Sequence, residues 1–268
     1  KGEGLGQRVL NAVRPYDCLL AVLDHFSGLS DPDSQHRSIE TDMIIADLAV
    51  VEKRLERIAQ DKRKAKNLVD PKEESLLEQV QAVLEDEKPL RGDPDLSSRP
   101  ELRGFCFLSA KPILYIWNVT EDNLEAEVRE EHTSEAHLAI CAKLERELAE
   151  LEEQEEREAF LQDLGLKGSA LDIIISTTYH LLDLITFLTA GEKEVRAWAI
   201  PRGSRAPEAA GAIHSDIQKG FIRAETLSWK DFQAVKTFKA AKEKGVLRLE
   251  GKDYLVQDGD IITFRFNV

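Results

Sequence analysis

Cysteine is scarce in this 268-residue chain, and its three copies, Cys18, Cys106 and Cys141, form no CxxC pair. That excludes a disulfide framework and a thiolate metal site, and it fits a reducing, cytosolic setting. Long apolar runs are missing as well. None approaches the roughly 20 residues that a membrane-spanning helix needs, and the first residues carry no signal-peptide pattern. Positive charge is in deficit: 36 Lys and Arg stand against 50 Asp and Glu, for a net charge of −14. Such a balance argues against nucleic-acid binding by the chain as a whole.

The deficit is uneven. Residues 184–268 hold 14 basic against 11 acidic side chains, whereas the preceding residues hold 22 against 39. A mildly basic C-terminal part follows a strongly acidic one, which points to a division of labour within the chain. With 42% hydrophobic and 32% charged residues, the composition is that of a globular, helix-rich protein longer than one usual compact domain. The chain starts at Lys1 rather than Met, inside a Gly-rich segment, and reads as a fragment.

Three continuously apolar runs, Cys18 to Phe26, Pro112 to Trp117 and Leu138 to Cys141, predict parallel strands buried under helices on both faces. In such a sheet the ligand crevice lies beyond the carboxyl ends of the strands, so the residues after Trp117 and Ile140 are the ones to inspect. Between the first two runs, Ile44, Leu48, Val51, Leu55 and Ile58 repeat at spacings of four and three, a heptad seam. Asp70-Pro71-Lys72-Glu73 starts a second helix, with Asp70 as N-cap, and its apolar stripe is Leu77, Val80 and Leu84. Together they predict an antiparallel helical hairpin over residues 39–92. Its tip carries Lys62, Arg63, Lys64 and Lys66, which either solvate a helix end or touch RNA or a partner protein.

After Cys141 the acidic run Glu152, Glu153, Glu155, Glu156 and Glu158 reads as a solvated helix face with no metal-ligand pattern. Ser169 and Asp172 make a capping box ahead of another helix. From Leu184 the texture changes. Leu184–Thr189 and Val195–Ile200 flank Ala190-Gly191-Glu192-Lys193, a hairpin signature. A short helix near Ala206-Pro207 and a strand Phe221–Leu227 follow. Next come one helix from Ser228 to Gly245 and short strands at Leu247–Leu249 and Tyr254–Val256. A last strand alternates Ile262, Phe264, Phe266 and Val268 with polar residues. The pattern predicts a small β-grasp-like mixed sheet wrapped around a helix.

The stretches AGAIHSDIQKGFIRAE (Ala210 to Glu225) and RLEGKDYLVQDGDIITFRFNV (Arg248 to Val268) resemble the TGS domain that closes YchF, or Obg-like, P-loop ATPases. ADLAVVEKRLERI (Ala46 to Ile58) resembles the first coiled-coil helix of that family, and KGEGLGQRVL the end of its switch II segment and the helix after it. The resemblance implies an α/β fold of three parts. These are a partial P-loop GTPase-type domain with a parallel sheet (1–38 and 93–183), the inserted coiled-coil hairpin (39–92) and a C-terminal TGS domain (184–268). It also implies an ATPase or GTPase acting at the ribosome or its RNA, with Mg²⁺ accompanying the nucleotide, in the cytoplasm. Partner contacts are implied for His214, Lys219 and Arg223 of the TGS motif.

Family members replace the guanine-reading Asn-Lys-x-Asp by Asn-x-x-Glu, and here Asn118-Val119-Thr120-Glu121 follows a predicted strand. The second base-side motif matches Cys141-Ala142-Lys143. These seven residues are the expected base site. No G-x-x-x-x-G-K-[ST] occurs; Gly2, Gly4 and Gly6 precede no Lys-Ser/Thr, so the run is not a phosphate loop. The stretch Ser27–Ser38 is shorter than in the family, so neither His25 nor His36 maps onto its loop histidine, and no catalytic residue is named. The segment from Glu121 to His137 is also short. A non-enzymatic binding module, TGS domain plus hairpin, is the competing reading.

Overall fold

The computed structural model describes residues 6–64, 71–124, 128–132, 134–166, 168–191 and 194–267. Gly2, Gly4, Lys66, the Asp70 cap, the Glu192-Lys193 turn and Val268 lie outside them, as does the Lys64 side chain. The chain divides into two compact units, Lys1–Leu181 and Leu182–Val268.

The first unit opens with α1 (Gly6–Val13), β1 (Leu19–Asp24) and a long α2 (Pro32–Lys64). Then come α3 (Pro71–Glu85), a short α4 (Pro94–Ser97), β2 (Ile113–Asn118), β3 (Val128–His132) and β4 (Glu135–Ile140). Three helices close it: α5 (Ala142–Glu150), α6 (Gln154–Asp163) and α7 (Ala170–Leu181). The sheet order is β1-β2-β4-β3, with β1, β2 and β4 parallel and β3 antiparallel to β4. Leu23, Ile113 and Tyr115 on one face pack with Leu10 of α1 and Met43 and Ala46 of α2. Leu114, Ile116, Ala136 and Leu138 on the other face pack with Leu181 and partly buried Ile173 and Ile174 of α7. This alternation is the strand period at work: successive side chains serve opposite layers.

Several expectations need correction here. β1 is not buried on both faces, since Leu20 is 49% and Val22 65% exposed. Among the described residues it pairs only with β2, so it is an edge. β4 begins at Glu135, three residues before the apolar run, and the short segment ahead of it forms β3. The residues 32–38, read as loop, are the first two turns of α2. Asp31 starts that helix, its Oδ2 accepting from Ser34 N–H at 3.0 Å, with Pro32 as first helical residue.

In the hairpin, Ile44, Val51 and Ile58 are buried at 7%, 0% and 2% exposure. They pack with Leu76, Leu77, Val80 and Leu84 of α3. Leu48 and Leu55 are only partly buried, because a hairpin gives α2 one partner helix and covers one side of the seam. Glu73, expected to support a cap, makes a bidentate ion pair with Arg54 of α2 at 2.7 and 2.8 Å. The acidic face of α6 is exposed. Ser169 caps α7, receiving Asp172 N–H at 3.2 Å while its hydroxyl donates to the Asp172 carboxylate at 2.8 Å.

The second unit runs β5 (Leu184–Ala190), β6 (Val195–Pro201), α8 (Ala206–Ile213), α9 (Ser215–Lys219), β7 (Phe221–Ser228) and α10 (Trp229–Val235). It ends with α11 (Phe238–Glu243), β8 (Arg248–Glu250) and β9 (Asp260–Phe266). The strand order is β6-β5-β9-β7-β8, mixed because β5 and β9 are parallel. Ala206, Ala209 and Ala210 of α8 are fully buried against Phe187, Phe221 and Ile262; the small side chains let the helix approach the sheet closely. The single helix expected from Ser228 to Gly245 is two. Lys236 turns left-handed (φ 61°), and Thr237 caps α11 through Ala240 N–H at 3.1 Å. Tyr254–Val256 is not a strand either; only Leu255 bridges, to Arg205.

Candidate nucleotide-base site

β2 and β4 end side by side, Asn118 opposite Ile140 in register. The chain leaves each strand into a short polar loop, and those loops carry both expected base-side motifs. Val119 is 4% exposed, and its N–H donates to Ile140 O at 2.8 Å, fixing one loop on the other strand. Asn118 Oδ1 accepts from Ala142 N–H at 3.1 Å. Thr120 Oγ1 accepts from Asn123 Nδ2 at 3.2 Å, which holds the turn through Glu121. Cys141, buried at 2%, precedes α5, and its carbonyl receives Glu145 N–H at 3.1 Å. Lys143 Nζ donates to Glu121 Oε1 at 2.7 Å, with Glu147 at 4.0 Å. The Glu121 hydrogen bond and charge push the Lys143 pKa up.

All seven residues thus stand in one place. One side chain–backbone bond and one ion pair, each spanning more than twenty residues of sequence, join the two loops. The arrangement offers acceptors at Asn118 and Glu121, a cation at Lys143, and the N-terminus of α5.

The expected partner-contact residues do not share one surface role. Lys62 is tied to Glu74 across the hairpin, so its charge is partly engaged there, whereas Arg63 is exposed. His214 caps α9: Nδ1 accepts from Asp216 N–H at 3.2 Å. Lys219 ends α9 and is exposed, and Arg223 stands exposed on β7 opposite Arg265 of β9.

A second polar cluster escaped the sequence reading, which names no metal ligands. Tyr115 and Trp117 of β2 and Glu135 and His137 of β4 lie on the sheet face that α2 covers. Arg91, 3% exposed, donates through Nε to Glu135 Oε2 at 2.8 Å and through Nη2 to Glu40 of α2. Tyr115 also donates to Glu40. Burial, then the Glu40 charge and hydrogen bond, push the Tyr115 phenol far up, so it remains a donor. Burial pulls the Glu135 pKa upward, but the His137 hydrogen bond and the Arg91 charge outweigh it and hold the carboxyl at about 2. Only the period-two spacing of Tyr115/Trp117 and Glu135/His137 hinted at this cluster, and it required β4 to begin at Glu135.

Against known proteins, residues 184–267 match the family model YchF-GTPase_C, described as a protein of unknown function (DUF933). The ribosome-binding ATPase YchF of Bacillus subtilis is 43% identical, the match covering all of this chain and 78% of that protein. The chain belongs to the YchF family. The Escherichia coli O157:H7 member, also named a ribosome-binding ATPase, is 41% identical with the same coverage. Among solved structures, the Schizosaccharomyces pombe YchF GTPase superposes with a TM-score of 0.84 at 29% identity, covering 99% of this chain and 76% of that one. A GTP-binding protein from Pyrococcus horikoshii OT3 shares the fold, with a TM-score of 0.60 at 18% identity over 96% of this chain and 80% of its own.

Proposed function

We propose that this chain is the base-reading and docking portion of a YchF-type nucleotide switch that works at the ribosome in the cytoplasm. The carrying observation is the Asn118–Ala142 bond together with the Glu121–Lys143 pair, which bring the two base-side loops into one site. In guanine-specific relatives of the fold, the Asp of Asn-Lys-x-Asp accepts from the guanine ring N–H and exocyclic amine, and the Lys stem packs along the base. Here Val119 stands for that Lys and Glu121 for that Asp. Adenine presents a 6-amino donor and ring-nitrogen acceptors, which Asn118 and neighbouring backbone groups satisfy. A site matched to one pattern rejects the other because mismatched buried polar groups go unpaired. ATP is therefore accepted at least as well as GTP.

Mg²⁺ accompanies the nucleotide in phosphoryl transfer, held in P-loop enzymes by the phosphate-loop Ser/Thr. These 268 residues contain no phosphate-loop sequence and do not fit the ion. The chain alone binds nucleotide weakly and hydrolyses none. Ribosome docking falls to Lys62 and Arg63 in the last turn of α2, to Lys64 and Lys66 that follow them in the sequence, and to His214, Lys219 and Arg223 in the TGS domain, residues 184–268. Ribosomal RNA is the target that a basic surface favours; a purely non-catalytic module is the second reading, supported by the missing phosphate loop.

In a longer chain that also carries a phosphate loop, competition between fluorescent ATP and GTP analogues tests base reading. Val119→Lys with Glu121→Asp should move preference toward GTP, and an unchanged ratio would remove these residues from the site. Ribosome binding should weaken steeply with salt through counterion release, and further on Lys219→Glu or Arg223→Glu. Indifference to both would replace RNA by an apolar protein contact.

A further inference from the structure

We propose that His36, Glu135 and His137 form a binding site for a divalent transition-metal ion of the Zn²⁺ class, separate from the nucleotide site and its Mg²⁺. The three residues come from different places in the sequence. β4 presents Glu135 and His137 on one face, two residues apart, and α2 lays His36 over that face. The His36 ring stands edge-on to Tyr115, centroids 4.3 Å apart, and 5.6 Å from the His137 ring. One ligand atom from each of the three lies within 4.8 Å of the others. Glu135 Oε1 and His137 Nε2 are 3.3 Å apart. Two ligands on a tetrahedral Zn²⁺, at bond lengths of about 2.0–2.2 Å, stand about 3.3–3.5 Å from each other. That pair already has the spacing, and only His36 has to draw closer.

A second observation points to a ligand. His36 Nε2 is buried and has no hydrogen-bond partner among the described residues. A buried imidazole nitrogen left unpaired is costly, and a metal ion accepts its lone pair. The surroundings are those of a supported centre. Arg91 grips the other Glu135 oxygen at 2.8 Å, orienting the carboxylate as outer partners of metal ligands do. An open cleft lined by His36, Glu40, Arg91, Asp93 and Glu135 gives access to two of the three ligands. Two imidazoles and one carboxylate suit Zn²⁺, Ni²⁺, Cu²⁺ or Fe²⁺ and are poor ligands for Mg²⁺.

The network also dictates a signature. Trp117 Nε1–H donates to His137 Nδ1 at 3.1 Å, so His137 holds a proton on Nε2, facing Glu135. A metal bound at Nε2 moves that proton to Nδ1, where it confronts the indole N–H. The Trp117–His137 bond must then break. Metal binding here is therefore reported by Trp117 as well as by the ion.

The test uses the 268-residue chain, stripped of metal by chelation and titrated with Zn²⁺ by calorimetry and with Co²⁺ by visible absorption. One equivalent should bind, with the intense d–d bands of a four- or five-coordinate Co²⁺, and the Trp117 indole N–H resonance should shift on Zn²⁺ addition. His36→Gln and His137→Phe should each weaken binding more than about 100-fold, beyond the 10–100-fold typical of outer partners. Should His137→Phe fail to fold, His36→Gln on the helix surface of the cleft carries the test alone. Absence of stoichiometric binding, binding undiminished in His36→Gln (an adventitious surface site), or an unmoved indole resonance would each overturn the proposal. The last two leave the cluster as a structural ion-pair network only.

Discussion

Replacing Asp47 by Ala removes a fully buried anion that ties three segments of the first unit. Its Oδ1 accepts from Arg14 Nη1 at 2.9 Å, and its Oδ2 accepts from Ser109 N–H at 2.8 Å and Ser109 Oγ at 2.9 Å. The Asp47 side chain is 0% exposed and that of Arg14 15%. Removing one partner of a buried pair costs about 3–5 kcal/mol. Arg14 keeps two carbonyl acceptors, Cys106 O at 3.1 Å and Ala46 O at 3.2 Å, so its charge is not stranded. The buried Ser109 N–H is stranded, at a cost of about 1–3 kcal/mol. Loss near the lower end, about 3 kcal/mol, is therefore expected for Asp47→Ala. For a domain of this size each kcal/mol moves the midpoint by about 2–4 °C, so a fall of about 6–12 °C should follow. Asp47→Asn keeps an acceptor for Ser109 but turns an amide toward Arg14, and should lose about half as much. The assay is urea and thermal unfolding with Trp198 and Trp229 replaced by Phe, leaving Trp117 to report the first unit. A loss below about 1 kcal/mol at unchanged m-value would refute the reasoning, as would no coupling between Asp47→Ala and Ser109→Ala in a double-mutant cycle.

In the hairpin, Val51→Ala should cost about 2 kcal/mol, from two buried methyls and the cavity they leave, whereas Leu48→Ala should cost no more despite removing a larger side chain. The reverse order in unfolding experiments would restore Leu48 to the centre of the seam. In the second unit, a Cβ on Gly220 would lie 2.0 Å from Asn267 O, where Asn267 N–H donates to Gly220 O at 2.9 Å. Gly220→Ala should then destabilise that unit by about 1–3 kcal/mol, read by Trp198 fluorescence, while an unchanged midpoint would mean that the β7–β9 end gives way freely. At the candidate base site, Lys143→Ala should weaken ATP binding in a longer chain that also carries a phosphate loop, yet leave the melting temperature unchanged, because the Lys143–Glu121 pair is about half exposed and such pairs contribute little. A lowered melting temperature with unaltered binding would make the pair structural.

The meeting of the two candidate base-side motifs was legible because Asn118–Glu121 and Cys141–Lys143 each follow an apolar strand, and strand ends in a parallel sheet converge; their base-reading role is what the family resemblance implies. The hairpin was legible for a similar reason, since a seven-residue repeat needs only one neighbouring helix to be meaningful. The start of α2 was missed although Asp31-Pro32 repeats the Asp-Pro signal of residues 70–71. The apolar period that would have supported it begins only later, at Ile44. The split between α10 and α11 was hidden too. Lys236 takes a left-handed backbone that ordinary propensity disfavours, and the Thr237 cap that restarts the helix carries no glycine or proline to announce the break.

By itself, the sequence determined most element types, the buried Ile44, Val51 and Ile58 of the heptad seam, and the caps at Ser169 and at Ser228, whose Oγ accepts from Asp231 N–H at 3.1 Å. Each of these depends on periodicity or on contacts within a few residues, whereas the seven residues at the strand ends were named by the family resemblance. Only the tertiary structure decided that β1 is an edge, that Glu135 and His137 belong to a strand, and that His36, Glu40, Arg91 and Tyr115 meet them beneath α2. It alone placed Asp47 where Arg14 and Ser109 converge. For the buried charges the physical reason is one. Burying a charge is tolerable only when partners distant in sequence satisfy it, and no local pattern encodes partners that arrive from 33 to 75 residues away.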